Sequence, residues 1–292
     1  MAAIAELQIN GPMLLSVAAI LGLIVGSFLN VVIYRLPVIL QHGWTQQCRE
    51  LLDLPAEEAA AEKPLGLVLP RSRCQHCGHQ IGALENIPIV SFLVLRARCS
   101  QCKAHISWRY PAVEGLTATL SLVVIWHFGF SAVGAMALLL TWGLIALSFI
   151  DADHQILPDA ITLPGLWLGL ICNIFGIFTD LQSAVIGAAA GYLSLWSVYH
   201  VFKLATGKEG MGFGDFKLLA LFGAWLGWQL LPLIILLSAF AGAIIGISMM
   251  MILGRDRNVP IPFGPYLAIA GWVALVWGDS LTEGYLRFAG LT

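Results

Sequence analysis

The sequence predicts an all-α polytopic membrane protein of about eight transmembrane helices, with a small cytoplasmic domain inserted after the first helix. Three observations carry this. The chain is 59% hydrophobic and 11% charged, against about 25% charged in a soluble domain. Its charges leave long stretches with none at all, and four of its six cysteines stand in two C-x-x-C pairs inside the longest polar stretch. A water-soluble enzyme of 292 residues is excluded. With 17 acidic and 15 basic residues the net charge is −2, so no nucleic-acid partner is expected and membrane lipid is.

A helix needs about 20 apolar residues to cross a hydrocarbon core of about 30 Å. The uncharged stretches 11–34, 160–179, 181–202 and 259–278 each supply one crossing. Stretches 115–150 and 218–254 are too long for one at about 1.5 Å per residue. They are expected to fold back at 127–131, which contains Gly129, and at 228–232, where Pro232 can open the next helix. The 10 tryptophans suit the two interfaces. Gly22 with Gly26, Gly187 with Gly191, and Gly242 with Gly246 have the spacing of helix contacts between small residues.

Lys and Arg in short loops set orientation. With the N-terminus outside, the inside loops 35–114, 151–159, 203–217 and 255–258 contain every one of the 15 basic residues except Arg287. The expected division is a first transmembrane helix at 11–34, a cytoplasmic domain at 35–110, a bundle of helices two to eight at 111–280 and a periplasmic tail at 281–292. Within the domain, 41–63 reads as a polar helix or a mobile excursion. Residues 1–10 carry Glu6 as their only charge, unlike a cleavable signal peptide, so the first span is expected to be retained. No internal repeat is evident.

Cys74-Gln-His-Cys77 and Cys99-Ser-Gln-Cys102 have the spacing that lets a turning backbone aim two thiolates at one ion. Two such pairs complete a tetrahedral site, with about 2.3 Å per zinc–sulfur bond. Four thiolates leave no place for water, so the expected zinc is structural and the cytoplasmic piece a zinc-knuckle domain. A reducing compartment disfavours the alternative of two disulfides. Gly78 suits the turn after the first knuckle. His76, His79 and His105 lie nearby, but the sulfurs already fill the shell. Cys172, in an apolar span, is expected to pack; Cys48 carries no assignment.

The remaining acids sit at the membrane edge. Asp151, Asp153 and Asp159 follow the third span, and Asp215 opens the sixth behind Gly212 and Gly214. A carboxylate beside apolar helix is a functional candidate because its burial is costly. Two that meet cannot both ionise easily, so one keeps a proton and the pair can perform aspartic peptide hydrolysis. Gly212 and Gly214 would let a backbone or substrate approach Asp215. Against this, Asp215 could simply cap its helix, and the others could be solvated. A proton- or cation-coupled transporter would also place carboxylates in a bundle, and a scaffold docking through its metal loop would need no aspartate pair.

The cysteine pairs, Arg109-Tyr-Pro-Ala-Val-Glu114, Asp151-Ala-Asp-His154, Gly212-Phe-Gly-Asp215, Gly26-Ser-Phe-Leu-Asn-Val-Val-Ile-Tyr-Arg35 and Pro262-Phe-Gly-Pro265 together resemble the bacterial type IV prepilin peptidases over nearly the whole chain. The resemblance implies an inner-membrane aspartic endopeptidase of the G-x-G-D type that removes the basic leader from prepilins and type II secretion pseudopilins. It implies Asp151 and Asp215 as the catalytic pair. It also implies N-methylation of the new terminus with S-adenosylmethionine, for which these residues reveal no site. Glu85, Glu114 and Asp159 are candidates for attracting the leader.

Overall fold

The structure, a computed structural model, describes residues 11–54, 66–253 and 262–290. The described residues form helices and turns with two isolated β-bridges and no strand. They fall into two compact units, Met1–Trp126 and His127–Thr292.

In the first unit α1 (Gly11–Leu51) begins with the first apolar stretch and continues well beyond it. Its 41 residues span about 60 Å, twice a hydrocarbon core. Beyond Pro12 in its first turn, it contains Pro37 in its interior, which deletes one N–H bond, a cost of about 3 kcal/mol that does not end the helix. Beyond it, Thr45 Oγ1 donates to the Gln41 carbonyl (2.8 Å) and Gln46 Nε2 to Glu50 Oε1 (3.1 Å). The helical reading of 41–63 therefore holds as far as Leu51; residues 55–63 lie outside the described residues. A 3-10 turn (Leu84–Asn86) and α2 (Val90–Val94) lead to α3 (Arg109–Phe128). Helices α1 and α3 meet at the small residues. A Cβ on Gly22 would lie 2.6 Å from Ala118 Cα, and one on Gly26 2.7 Å from Glu114 Cα. In lipid, where apolar surface gains little by leaving one apolar medium for another, such close backbone approach is what binds helices.

The second unit contains α4 (Ala132–His154), α5 (Asp159–Ile174), α6 (Leu181–Thr206), α7 (Phe213–Leu226), a 3-10 turn (Trp228–Leu230), α8 (Leu231–Leu253) and α9 (Gly264–Phe288). Both expected turns are present. Gly129 has φ +64°, and the Ser131 hydroxyl caps α4 by accepting from Gly134 N at 3.0 Å. Gly227, at φ +82°, ends α7 just before the second turn. At the centre lies α7, buried continuously from Leu218 to Leu226. Gly187 of α6 lies against Gly223 of α7, and a Cβ on Gly191 would stand 2.6 Å from the Leu219 carbonyl oxygen. Gly242, by contrast, meets Tyr266 at an ordinary 3.5 Å.

Among the described residues five helices are long and apolar enough to cross a membrane, and the protein is a multi-pass membrane protein. They include α1, α3, α4, α6 and a segment from Trp228 to Ser248. The shorter α7, about 21 Å for its 14 residues, is enclosed by its neighbours rather than by lipid. Helix α5 stops at Ile174 instead of running to 179. Asn173 explains this: Nδ2 donates to the carbonyls of Ala224 (2.8 Å) and Trp225 (2.9 Å), while Oδ1 accepts from the N–H groups of Phe178 (3.0 Å) and Thr179 (3.1 Å). That loop cannot also be helix. Helix α9 runs to Phe288, so the expected tail begins as its continuation. The loop 255–258, the start of the last stretch at 259–261 and residues 1–10 lie outside the described residues.

Replacing Asn173 by Ala should strip partners from two buried carbonyls and two loop N–H groups. With about 1–3 kcal/mol for each buried group left unsatisfied and partial relaxation of the loop, the expected loss is about 2–4 kcal/mol. An unchanged thermal unfolding midpoint of the detergent-purified variant would contradict this role.

Candidate active site and metal centre

Asp151 lies in the last turn of α4 and Asp215 in the first turn of α7; both are buried, 5% and 7% exposed. Though distant in sequence, they are close enough for the charge of Asp151 to act on the Asp215 carboxyl. Each carboxylate faces the start of a helix. The Gly264 N–H, first in α9 and free of any intrahelical acceptor, donates to Asp151 Oδ2 at 2.9 Å. Asp215 reaches back to the N–H of Gly212, the N-cap of its own helix, as the third residue of a capping box does. Two positive helix ends thus converge on two acids.

Asp215 stands three positions inside α7 and contributes to its capping while also facing Asp151. A Cβ on Gly214 would lie 2.8 Å from Leu157 Cβ, whereas one on Gly212 would meet nothing closer than Asp215 Oδ2 at 3.8 Å. A Cβ on Gly264 would lie 2.6 Å from Asp151 Oδ2 and 3.1 Å from Leu157 Cδ2. Leu157 therefore wedges between the two helix starts beside the acids. Sequence reading assigned no role to Gly264 or Leu157. The Pro-Phe-Gly-Pro run before an apolar stretch was a signal for a helix start at 264; nothing marked Leu157. Asp159 is bound by Lys217 Nζ at 2.7 and 2.8 Å, which ties the start of α5 to α7. Asp153 is exposed.

In the first unit the sulfurs of Cys74, Cys77, Cys99 and Cys102 lie within 4.8 Å of one another. The Cys74–Cys102 and Cys77–Cys99 separations are 3.8 and 4.0 Å. A tetrahedron with zinc–sulfur bonds of about 2.3 Å has edges of about 3.8 Å. The two knuckles share one backbone design, a local repeat the sequence did not reveal. Cys74 N donates to the His79 carbonyl and Cys99 N to that of Ala104, and the bridges Arg73 with Gln80 and Arg98 with His105 close each loop. The left-handed residue is Gly78 (φ +70°) in one and Lys103 (φ +58°) in the other. As bare thiols the four are unequal. The N–H groups of Cys77 and His76 hold Cys74 down to about 6. At Cys102 the N–H of Ala104 favours the thiolate, but burial and the sulfurs of Cys77, Cys99 and Cys74 push it up to about 11. Such crowding is what a shared divalent cation relieves, and the donor set fits one.

The neighbouring histidine His79 bonds Glu85 Oε2 at 3.1 Å rather than joining the sulfurs. The Ser100 hydroxyl, the Gly82 N–H and His79 hold Glu85 down to about 2, so this carboxylate binds one knuckle to the other. Glu114 is 8% exposed, and its Oε2 accepts from Ile89 N at 2.7 Å. Neither is a free acid facing solvent. Cys172 is buried as expected, and Cys48 is exposed on α1.

Two family profiles match the chain: the bacterial peptidase A24 N-terminal domain over residues 20–128 and the type IV leader peptidase family over residues 138–247. Among curated relatives, the prepilin leader peptidase/N-methyltransferase of Stutzerimonas stutzeri is 62% identical over 274 residues, 94% of each chain. Proteins with the same name are 59% identical in Pseudomonas aeruginosa, over 93% of each chain, and 55% identical in Aeromonas hydrophila, over 98% of this chain and 99% of that one. No solved structure matches.

Proposed function

Because the chain belongs to the type IV leader peptidase family, we propose that it is a membrane aspartic endopeptidase that removes the leader of prepilins and pseudopilins and then methylates the new N-terminal amine. The observation that carries the peptidase reading is the convergence of two buried carboxyl groups, Asp151 and Asp215, at two helix starts in one unit. One carboxylate takes a proton from water as it attacks the scissile carbonyl, and the protonated partner donates to the carbonyl oxygen. Both groups then exchange roles as the amine leaves. The donor at Gly264 fixes one oxygen of Asp151, so the acid is oriented before substrate arrives.

The basic-residue asymmetry supports a periplasmic N-terminus and a pair at the cytoplasmic face of the inner membrane. There a prepilin, an apolar helix with a basic leader, presents its scissile bond. Cys74, Cys77, Cys99 and Cys102 would hold a structural zinc, which supplies rigidity to the first unit and takes no part in bond cleavage. S-adenosylmethionine is the methyl donor. The transporter and scaffold readings have no counterpart among the relatives.

Asp151→Asn and Asp215→Asn should each lower cleavage of a purified prepilin by at least about 10³-fold, within the range for loss of general acid–base catalysis, while the protein still inserts in the membrane. Mass spectrometry of the product measures this, and cleavage within tenfold of the parent by either variant rejects the pair. Replacing Cys74 and Cys102 together by Ser should remove bound zinc and lower the unfolding temperature; unchanged zinc by elemental analysis rejects the metal assignment.

A further inference from the structure

The first unit encloses a cavity of ≈ 380 Å³ against one wall of the cysteine knuckles, within the range of about 300–1,000 Å³ that small-molecule sites occupy. Its lining is unusual for so apolar a chain. Asn30 and Arg35 of α1 and Glu114 of α3 all border it, and each is only 8% exposed. Ser27, Asn30, Val31 and Tyr34 recur at the spacing of one helix face; Tyr110 and Glu114 share a face of α3 one turn apart. A buried cation, a buried anion and an amide bordering one space are costly to bury without partners, and here each is bonded to backbone while still lining the cavity.

Each is anchored by neighbouring groups, Glu114 by the Ser27 hydroxyl as well as by backbone. Arg35 Nη1 donates to the Gly66 carbonyl at 2.9 Å, Asn30 Nδ2 to the Tyr110 carbonyl at 3.1 Å, and Glu114 uses Oε2 for Ile89 N. Such anchors fix the side chains in place before binding. The second unit contains the aspartate pair, and the sequence has no Gly-x-Gly-x-x-Gly fingerprint for a nucleotide.

We propose that this cavity binds the sulfonium methyl donor, S-adenosylmethionine, with Arg35 facing its carboxylate, Glu114 its sulfonium and the rings of Tyr34 and Tyr110 its cationic and aromatic parts. The inference rests on the methyltransferase half of the function proposed above. The ligand carries one carboxylate and a positive sulfur on a body of matching size, the complement of one buried arginine and one buried glutamate. In the transfer, the lone pair of the neutral N-terminal amine forms the new N–C bond as the C–S bond breaks. The sulfonium leaves as the thioether S-adenosylhomocysteine, and the proton lost from nitrogen passes to water.

The test is equilibrium dialysis of S-adenosylmethionine and S-adenosylhomocysteine against the detergent-purified full chain, with photolabelling by the radioactive donor and prepilin cleavage measured on the same sample. Glu114→Gln keeps an acceptor for Ile89 N but removes the charge. It should weaken S-adenosylmethionine at least about tenfold and S-adenosylhomocysteine less than threefold. Val31→Trp adds bulk to the cavity wall while leaving Asn30, Arg35 and Glu114 in the sequence, and should abolish binding of both, while zinc content reports that the unit is folded. Asp215→Asn should bind the donor as the parent does, and label should appear in residues 27–35 or 107–114. Binding within twofold of the parent in both Glu114→Gln and Val31→Trp, or label confined to residues 127–292, overturns the site. A parent that cleaves prepilin yet neither binds donor nor transfers methyl sinks the methyltransferase reading itself.

Discussion

The second unit is organised around the problem of placing two carboxyl groups in a region without bulk water. An unpaired charge there costs several kcal/mol even after relaxation, and among the described residues no Lys or Arg acts on Asp151 or Asp215. Their compensation comes from backbone. The free N–H of Gly264 at the start of α9 meets Asp151, and the N-cap N–H of Gly212 meets Asp215. Helix starts are suited to this because their first N–H groups lack intrahelical acceptors. The geometry of the acids is therefore only as good as the placement of α4, α7 and α9.

That placement depends on close packing rather than on apolar burial. Helix α7 is enclosed, and its neighbours reach it through residues that lack side chains or have flat ones. Gly187 and Gly191 admit the α7 backbone, and the Trp225 ring lies on Gly169 with Nε1 donating to the Gly165 carbonyl at 2.8 Å. Asn173 pins the loop after α5 to the end of α7. Each of these contacts excludes a larger residue. Together they leave α7 one seat, and with it Asp215.

In the first unit a different economy operates. Among its described residues the segment between α1 and α3 has only short regular elements, which leave little apolar core to hold it. Four thiolates, two repeated turns and the Glu85 carboxylate joining Ser100, Gly82 and His79 replace that core. Glu114 extends the support by fixing Ile89, whose φ of +56° is strained for a branched residue. Glu85 and Glu114, which sequence reading offered as attractors of a basic peptide, are in this way internal fastenings.

Much of this was legible beforehand because membrane solvent imposes a simple code. Charge-free stretches of fixed length give helices, Gly129 and Pro232 mark their turns, and paired C-x-x-C spacing brings four sulfurs together. The candidate acids were legible because acids are rare beside apolar helix. The sequence could not say that α1 outruns its apolar stretch, where side-chain bonds of Thr45 and Gln46 one turn apart support the polar helix past Pro37. Nor could it foretell that α5 ends early, because Asn173 chooses two carbonyls some 50 residues away. Local composition determined which segments became helix and which residue types could do chemistry. Which backbone N–H meets which carboxylate, and that Leu157 stands beside both acids, depended on contacts between distant segments, which no local pattern encodes.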